Sequence, residues 1–490
     1  MPHAFDATAH LRNLAASQPN ALIQVRLYVE PHPSAQAIQA RYQESQLEPE
    51  TRIAPSADER ILTTQELRNL LTTRLQFVYS FLKEHDLDIE TNSNNPPQPD
   101  ENCPLSFSTK LSVRGSTLNR ILALESQIGL ATLSHIPHLE STDIQQFSEY
   151  FDVGETESED GLLGRLIRAG RPAIQTLARL RGAGGSRKGA NVSIAVVDLG
   201  FAGNKKIRNF GTIQDFTGNG GLSNNHGTCV ASRIADSKLG IAPDASILPI
   251  VVDYNIDNAC KGICYALDQN VDLICMAISW DRWKSAAQPE RWRKICETIL
   301  ARGKLHACSI GNNGGLTGKQ AQPPDQIASP GDCPPPLPQL GAPSSAISCG
   351  SFSSGMKLSK VASMGPSAWP GINKSLYISF KDFPYPRSPL CKPDLMADGG
   401  PAHPCSGSFM HNFFIKEASL ATATIAGHLA VVLGEWKALF PGCHLDPSHV
   451  LEAMLGGSSI AECVPTFLPK KSAPEQAIKH AKKQSWWARC

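Results

Sequence analysis

The opening of the sequence reads as lacking a secretory leader, so none is expected. Met1-Pro-His-Ala-Phe-Asp opens it with no basic segment and no long apolar run behind, both of which a secretory signal needs. No stretch reads as the ~18 consecutive apolar residues of a membrane-spanning helix. Charge of one sign is also missing: 46 Lys and Arg face 45 Asp and Glu, for a net charge of +1. That balance gives no electrostatic pull toward nucleic acid or an anionic membrane. The nearest approach to a basic patch is Lys470-Lys471 with Lys482-Lys483, which reads as a solvated tail. The fourteen cysteines contain no Cys-x-x-Cys pair, so zinc is not expected. No internal repeat is evident. The expectation is a cytoplasmic protein with neither nucleic acid nor membrane as partner. Cys275, Cys308 and Cys349 lie in apolar runs, where a thiol behaves as a small hydrophobe. Reduced thiols are therefore expected, with structural disulfides the alternative that would require export.

What is present suits globular domains with full cores, since 41% of residues are hydrophobic and 19% charged. A chain of 490 residues has room for two to three domains. Residues 1–21 read as a tail. Residues 22–140 read as a separate unit. Leu22–Glu30 alternates like a strand, and Glu59–Glu84 has helical spacing with Leu67, Leu70, Leu71, Leu75, Val78 and Leu82 on one side. Leu87–Glu90 and Leu105–Val113 read as strands around a Pro- and Asn-rich loop, Asn92–Pro104. Ser116 opens a helix running to Ile128, and Ala131–Ile136 closes as a strand. The order βαββαβ predicts a ferredoxin-like α+β domain. Residues 141–188 read as a linker containing the acidic run Glu155–Asp160, a helical stretch and the flexible Gly182–Gly189. Residues 189–457 alternate apolar strands with helical segments. Strands are expected up to Asp198 and at Ile247–Val252, Leu273–Ile278 and His306–Ile310, which predicts a doubly wound α/β domain with a mostly parallel sheet. Pro-rich Gln322–Pro343 and irregular Pro401–Ile415 read as surface insertions. Residues 458–490 read as a C-terminal tail.

Chemistry concentrates in two short segments. Ile194-Ala-Val-Val-Asp198 is an apolar run ending in a carboxylate, and His226-Gly-Thr-Cys-Val-Ala opens a helical pattern. A buried carboxylate beside an imidazole fixes the tautomer of the ring and stabilises it once protonated. Such a pair calls for a nucleophile, and Ser419 stands before the helical run Leu420–Leu433. Taken singly, Asp198 also fits a strand-end cap, His226 a turn histidine and Ser419 a helix cap.

The order Asp198, His226, Ser419 resembles that of the subtilisin-like serine peptidases. Val192–Gly200 resembles their Asp motif and Asn225–Ala231 their His motif, followed by Gly240-Ile-Ala-Pro-Asp-Ala. Ser309-Ile-Gly-Asn312-Asn-Gly314 resembles the segment that carries the oxyanion-hole Asn, and Lys392-Pro-Asp-Leu-Met-Ala397 the segment before the nucleophile. The resemblance covers residues 188–457. It implies an endopeptidase in which Asn312 rather than Asn313 holds the oxyanion. It also implies a substrate edge at Ser279, Trp280, Asp281 and Gly311, although Trp280 fits ordinary packing as well. Calcium is common in that family, but no ligand set maps onto this chain and no cofactor is required. The unit at 22–140 resembles the inhibitor-type propeptide of the family, which implies a precursor whose N-terminal domain is an intramolecular inhibitor. Such a unit would lie over two helices of the enzyme. An unrelated accessory domain is the alternative. The chain departs from the family at the nucleophile: Glu417-Ala418-Ser419 stands where Gly-Thr-Ser is usual, and Ala423 where Pro is frequent. These departures leave open a catalytically impaired relative that binds peptides or a partner protein.

Overall fold

The computed structural model describes residues 7–29, 33–34, 37–38, 63–87, 97–100, 103–124, 130–135, 188–202, 205–218, 225–282, 288–314, 326–337, 342–353, 357–358, 362–363, 365, 367, 369, 392–399, 417–439, 441, 446–456, 458–461 and 464–469. The expected linker lies almost wholly outside them, as do Pro401–Ile415 and Asp88–Glu90.

The N-terminal unit is built from helix α1 (Ala7–Ser17), strand β1 (Leu22–Val29), helix α2 (Thr64–Glu84), strand β2 (Ser108–Arg114), helix α3 (Gly115–Leu124) and strand β3 (Leu130–His135). Helix α2 starts where Thr63 and Glu66 satisfy each other's backbone N–H groups in a capping box. Strand β1 lies between β2 and β3 and is antiparallel to both. Leu71, Leu75 and Val78 of α2 bury against Val25 and Leu27 of the sheet, as their helical spacing requires, whereas Leu70, expected on the same side, is exposed because it lies one position off that stripe. Residues 1–21 are not simply a tail. Leu11 and Ala15 of α1 are fully buried in the same core.

The larger unit is wound on one twisted sheet. Its strands are β4 (Ser193–Asp198), β5 (Gln214–Asp215), β6 (Ser246–Val251), β7 (Leu273–Met276), β9 (Leu305–Ser309), β11 (Ala346–Ser353) with its partner β12 (Lys357–Leu358), β13 (Leu395–Asp398), β14 (Ser458–Ala461) and β15 (Val464–Pro469). The order is β14-β15-β13-β11-β9-β7-β4-β6-β5. All neighbours along it are parallel except β14 and β15. A separate ribbon pairs β8 (Trp280–Asp281) with β10 (Ala328–Ser329). Strand β4 shows how the pattern splits. Ile194 and Val196 join the core under helices α4 (His226–Ala235), α7 (Glu417–Leu439) and α8 (Pro447–Gly456). Ala195 and Val197 point the other way, under α5 (Ile256–Asp268) and α6 (Pro289–Ala301). A strand buried on both faces reads as a continuous apolar run, as this one does.

Three expectations change. Residues 458–469 belong to the sheet rather than to a tail, because β15 pairs with β13 through Leu395 and Phe467. Within Gln322–Pro343, residues Ile327, Ala328, Ser329, Asp332 and Cys333 are fully buried. Asp332 forms a buried ion pair with Arg282 at 2.7 Å, and its carbonyl accepts from Ser367 Oγ and Trp369 Nε1. A carboxylate with these partners anchors the segment inside. Finally, Ala418–Ala438 is long and apolar enough by composition to cross a membrane, yet almost all of it is buried in the protein. A helix that is apolar all round is a core helix when both sides are packed.

The two units meet on α5 and α6. A 3-10 turn, Pro104–Ser106, sits on these helices, where Thr298 Oγ1 donates to the Leu105 carbonyl at 2.7 Å. Leu67, Cys103 and Leu105 join the core that contains Ala259, Ile263 and Ile299. Cys103 and Cys260 form a disulfide across this contact, with their Cα atoms 5.4 Å apart. A chain of charges runs beside it. Arg26 pairs with Asp100, Asp100 lies 3.6 Å from Arg291, and Arg291 pairs with Asp257, which Lys110 also reaches at 3.0 Å. The cysteine reading is therefore corrected at this pair. Cys264, Cys275, Cys296, Cys308, Cys333 and Cys349 are buried free thiols.

Candidate active site

Strand order reverses at β4. The chain leaves β4 toward β6 on one side and returns to β7 on the other. The crevice outside the carboxyl ends of strands at such a point is where parallel α/β sheets place their ligands. Asp198 ends β4, and Ala277 directly follows β7.

The His motif carries its own positioning devices. Gly227 lies so close to the loop after β4 that an added Cβ would sit 2.6 Å from the Phe201 ring and 2.8 Å from the Gly200 carbonyl. Only Gly permits that approach. The Gly227 N–H donates to Gly200 O at 3.0 Å. Thr228 Oγ1 accepts from the Ala202 N–H at 2.7 Å and donates to its carbonyl at 2.9 Å. The start of α4 is thus tied to the end of β4, which brings His226 Nδ1 to 2.6 Å from Asp198 Oδ1. Asp198 Oδ1 also accepts from the Leu199 N–H at 2.7 Å. Asp198 is 0% exposed and His226 7%, so this bond sits where charge interactions are strong. Farther along α4, Arg233 Nε donates to Thr424 Oγ1 at 2.9 Å and its Nη2 donates to the Asp398 carbonyl at 3.2 Å. The first bond fixes α4 against the helix that bears Ser419, and the second ties it to the end of β13.

Ser419 lies in the first turn of α7 and is 1% exposed. Its Oγ donates to the Ala277 carbonyl at 3.0 Å. Asn312 Oδ1 accepts from the Ala418 N–H at 3.2 Å, which leaves the amide nitrogen of Asn312 as the donating end. Asn313 faces elsewhere. It is buried, and its Nδ2 donates to Asp281 Oδ1 at 2.7 Å and to Gln326 O at 3.2 Å. The adjacent asparagines therefore have separate surroundings, and Asn312 is the one against the nucleophile helix. The structure brings Asp198 to His226, and Asn312 and the end of β7 to the turn of Ser419.

The expected substrate edge fares differently. Trp280 is fully buried between Trp292, at 4.5 Å between ring centres, and Tyr254, whose carbonyl takes its indole N–H at 2.7 Å. It is a core residue and not a rim residue, because a buried indole needs such an acceptor. Asp281 is held by Asn313, and Ser279 is half-buried between β7 and β8. Gly311, at φ 97°, is required by the backbone, with its N–H on Ser309 Oγ and its carbonyl accepting from Ser363 N. The strand end that touches the nucleophile is Ala277, two residues before the expected Ser279. Tyr254 packs edge-on against Trp280. Burial, then the Asp198 and Asp281 carboxylates, push its phenol well above the usual range. No local motif signals the contact made by Ala277. Among the described residues, no three His, Cys, Asp or Glu side chains gather as a metal-binding group.

A model of the subtilase family matches residues 189–448, more than half of the chain. Among solved structures, a cold-adapted subtilisin-like serine proteinase aligns at 18% identity over 58% of this chain and 89% of its own, with TM-score 0.40. A lanthipeptide protease aligns at 15% identity over 60% and 89%, with TM-score 0.43. A protease from Pseudoalteromonas arctica aligns at 15% identity over 62% and 93%, with TM-score 0.41. The search of curated proteins found no match.

Proposed function

We propose that this chain, which belongs to the subtilase family and is a subtilisin-like serine peptidase, cuts polypeptides internally through Ser419, His226 and Asp198. The observation that carries the reading is the buried 2.6 Å bond from His226 Nδ1 to Asp198 at the strand-order reversal. With Nδ1 held by Asp198, the ring presents Nε2 as the base. Ser419 turns its proton from the Ala277 carbonyl to that nitrogen and attacks the scissile carbonyl carbon. Asp198 stabilises the imidazolium, which then hands its proton to the leaving amine. Water repeats the sequence on the acyl-enzyme. Negative charge on the tetrahedral oxygen is met by Asn312 Nδ2 and by the Ser419 N–H, since first-turn helix amides have no intrahelical acceptor. None of these steps requires a metal or cofactor.

The N-terminal unit supports a precursor. Its strand order and its seat on α5 and α6 suit a ferredoxin-like inhibitor domain preceding the peptidase. A second reading, an impaired relative that captures peptides, draws on Glu417-Ala418 and on the hydrogen bond that turns Ser419 toward Ala277. Labelling by a fluorophosphonate probe separates the two, because only an activated serine reacts. Wild type is expected to label and to cut a peptide library, while Ser419→Ala does neither and keeps the wild-type melting temperature. Equal hydrolysis by a folded Ser419→Ala protein would overturn the assignment.

A further inference from the structure

The disulfide joins the two units of the chain. Cys103 caps the turn Pro104–Ser106 of the N-terminal unit, and Cys260 lies in the middle of α5 of the larger unit. Both are fully buried, within the shared core of Leu67, Leu105, Ala259 and Ile263. The bond spans 157 residues. The segment it brackets, 104–259, contains the whole stretch 136–187 that joins the two units in sequence. A backbone cut anywhere in that bracket cannot separate the pieces, because the cut ends belong to one covalent loop.

We propose that Cys103–Cys260 is a second lock on the N-terminal unit, so that release from the α5–α6 face requires both a cut in the joining segment and reduction of the disulfide. A cut alone leaves the unit at the high local concentration of an intramolecular partner. It stays seated by Thr298 on Leu105, by Lys110 on Asp257 and by Thr64 Oγ1 on Asp268 at 3.0 Å. Reduction alone leaves the peptide connection. Opening the bond takes two electrons and two protons from a dithiol, which becomes a cyclic disulfide while Cys103 and Cys260 become thiols. The burial of both sulfurs keeps the bond closed to bulky reductants until the turn lifts. A small dithiol is therefore the class of reductant that suits it.

The test uses the full chain carrying Ser419→Ala, so that no self-cutting occurs and the outcome does not depend on the peptidase reading. The recognition sequence of a site-specific protease is inserted after Gly184. Four samples are compared by native size exclusion: intact or cut, with or without dithiothreitol. The N-terminal fragment is expected to elute separately in the cut and reduced sample alone. Under denaturing conditions, the cut, unreduced protein is expected to run as one species of full mass and to split on reduction. Separation of the cut protein without dithiothreitol overturns the proposal, and so does a fragment that stays bound after cutting and reduction. Cys103→Ser, with Cys260→Ala as an independent second variant, is expected to make cutting alone sufficient. Retention in both variants would show that the non-covalent contact is the lock.

Discussion

At the scale of single residues, the site is legible where a motif contains its own geometry. Gly227 and Thr228 follow His226 directly and make the bonds that bring it to Asp198, so spacing and composition announce the pair. The end of β7 is set by pairing with β4 and β9 rather than by local sequence, so it is Ala277 and not Ser279 that meets Ser419 Oγ. Ser279-Trp280-Asp281 carries no local mark of this. The separation of Asn312 from Asn313 depends on Asp281 and Gln326, both distant in sequence. Asn312→Ala is expected to lower kcat by on the order of 10²–10³ with little change in KM, because the amide is needed where charge develops. That magnitude comes from a relative of this family. Steady-state kinetics checks it, and a change confined to KM would assign Asn312 a structural role. Replacing Glu417-Ala418 by Gly-Thr is expected to raise turnover, since it removes a carboxylate two residues from the nucleophile. A collapse of turnover in the folded variant would show that Glu417 serves the site.

At the scale of elements, alternation and helical spacing predict most strands and helices, because β4 and α2 each bury the faces their periods indicate. Proline content misleads at Gln322–Pro343. It marks irregular backbone, whereas burial there is set by the Arg282–Asp332 ion pair and by Trp369. Helix α7 shows the tighter constraint. Gly427 faces Ile241 so closely that an added Cβ would lie 2.7 Å from Ile241 Cβ. Gly427→Ala gains up to about 1 kcal/mol of helix propensity but overpacks the core, which costs about 1–3 kcal/mol. The second effect is expected to win, because the clash is with a branched Cβ rather than a flexible tip. Denaturant unfolding should show net destabilisation, and an unchanged midpoint would mean that Ile241 moves freely.

At the scale of the whole molecule, division into two units is legible from composition, but the bond between them is not. Cysteines 157 residues apart reveal their pairing only when the fold sets their distance. The charges beside the disulfide make the contact sensitive to acid. Burial alone would raise the Asp257 carboxyl, but Arg291 and Lys110 hold it down to about 2, against 3.8 for the free group. A depressed carboxyl stabilises the fold above pH ~4, and that contribution drains away as pH falls toward 2. Asp257→Asn is expected to cost on the order of 2 kcal/mol at pH 7, with the gap to wild type closing near pH 2. Parallel denaturation curves at the two pH values check this, and a constant gap would rule out titration as the cause. The position of β15 has a consequence for synthesis. Strands β4 to β11 are made before α7, and the edge of β13 is covered only when residues 464–469 pair with it. A growing chain therefore exposes Asp198 and His226 long before it possesses a nucleophile or a closed sheet edge. The N-terminal unit and helices α5 and α6 are complete by then, so the α5–α6 face has its cover while the polypeptide is still unable to cut anything.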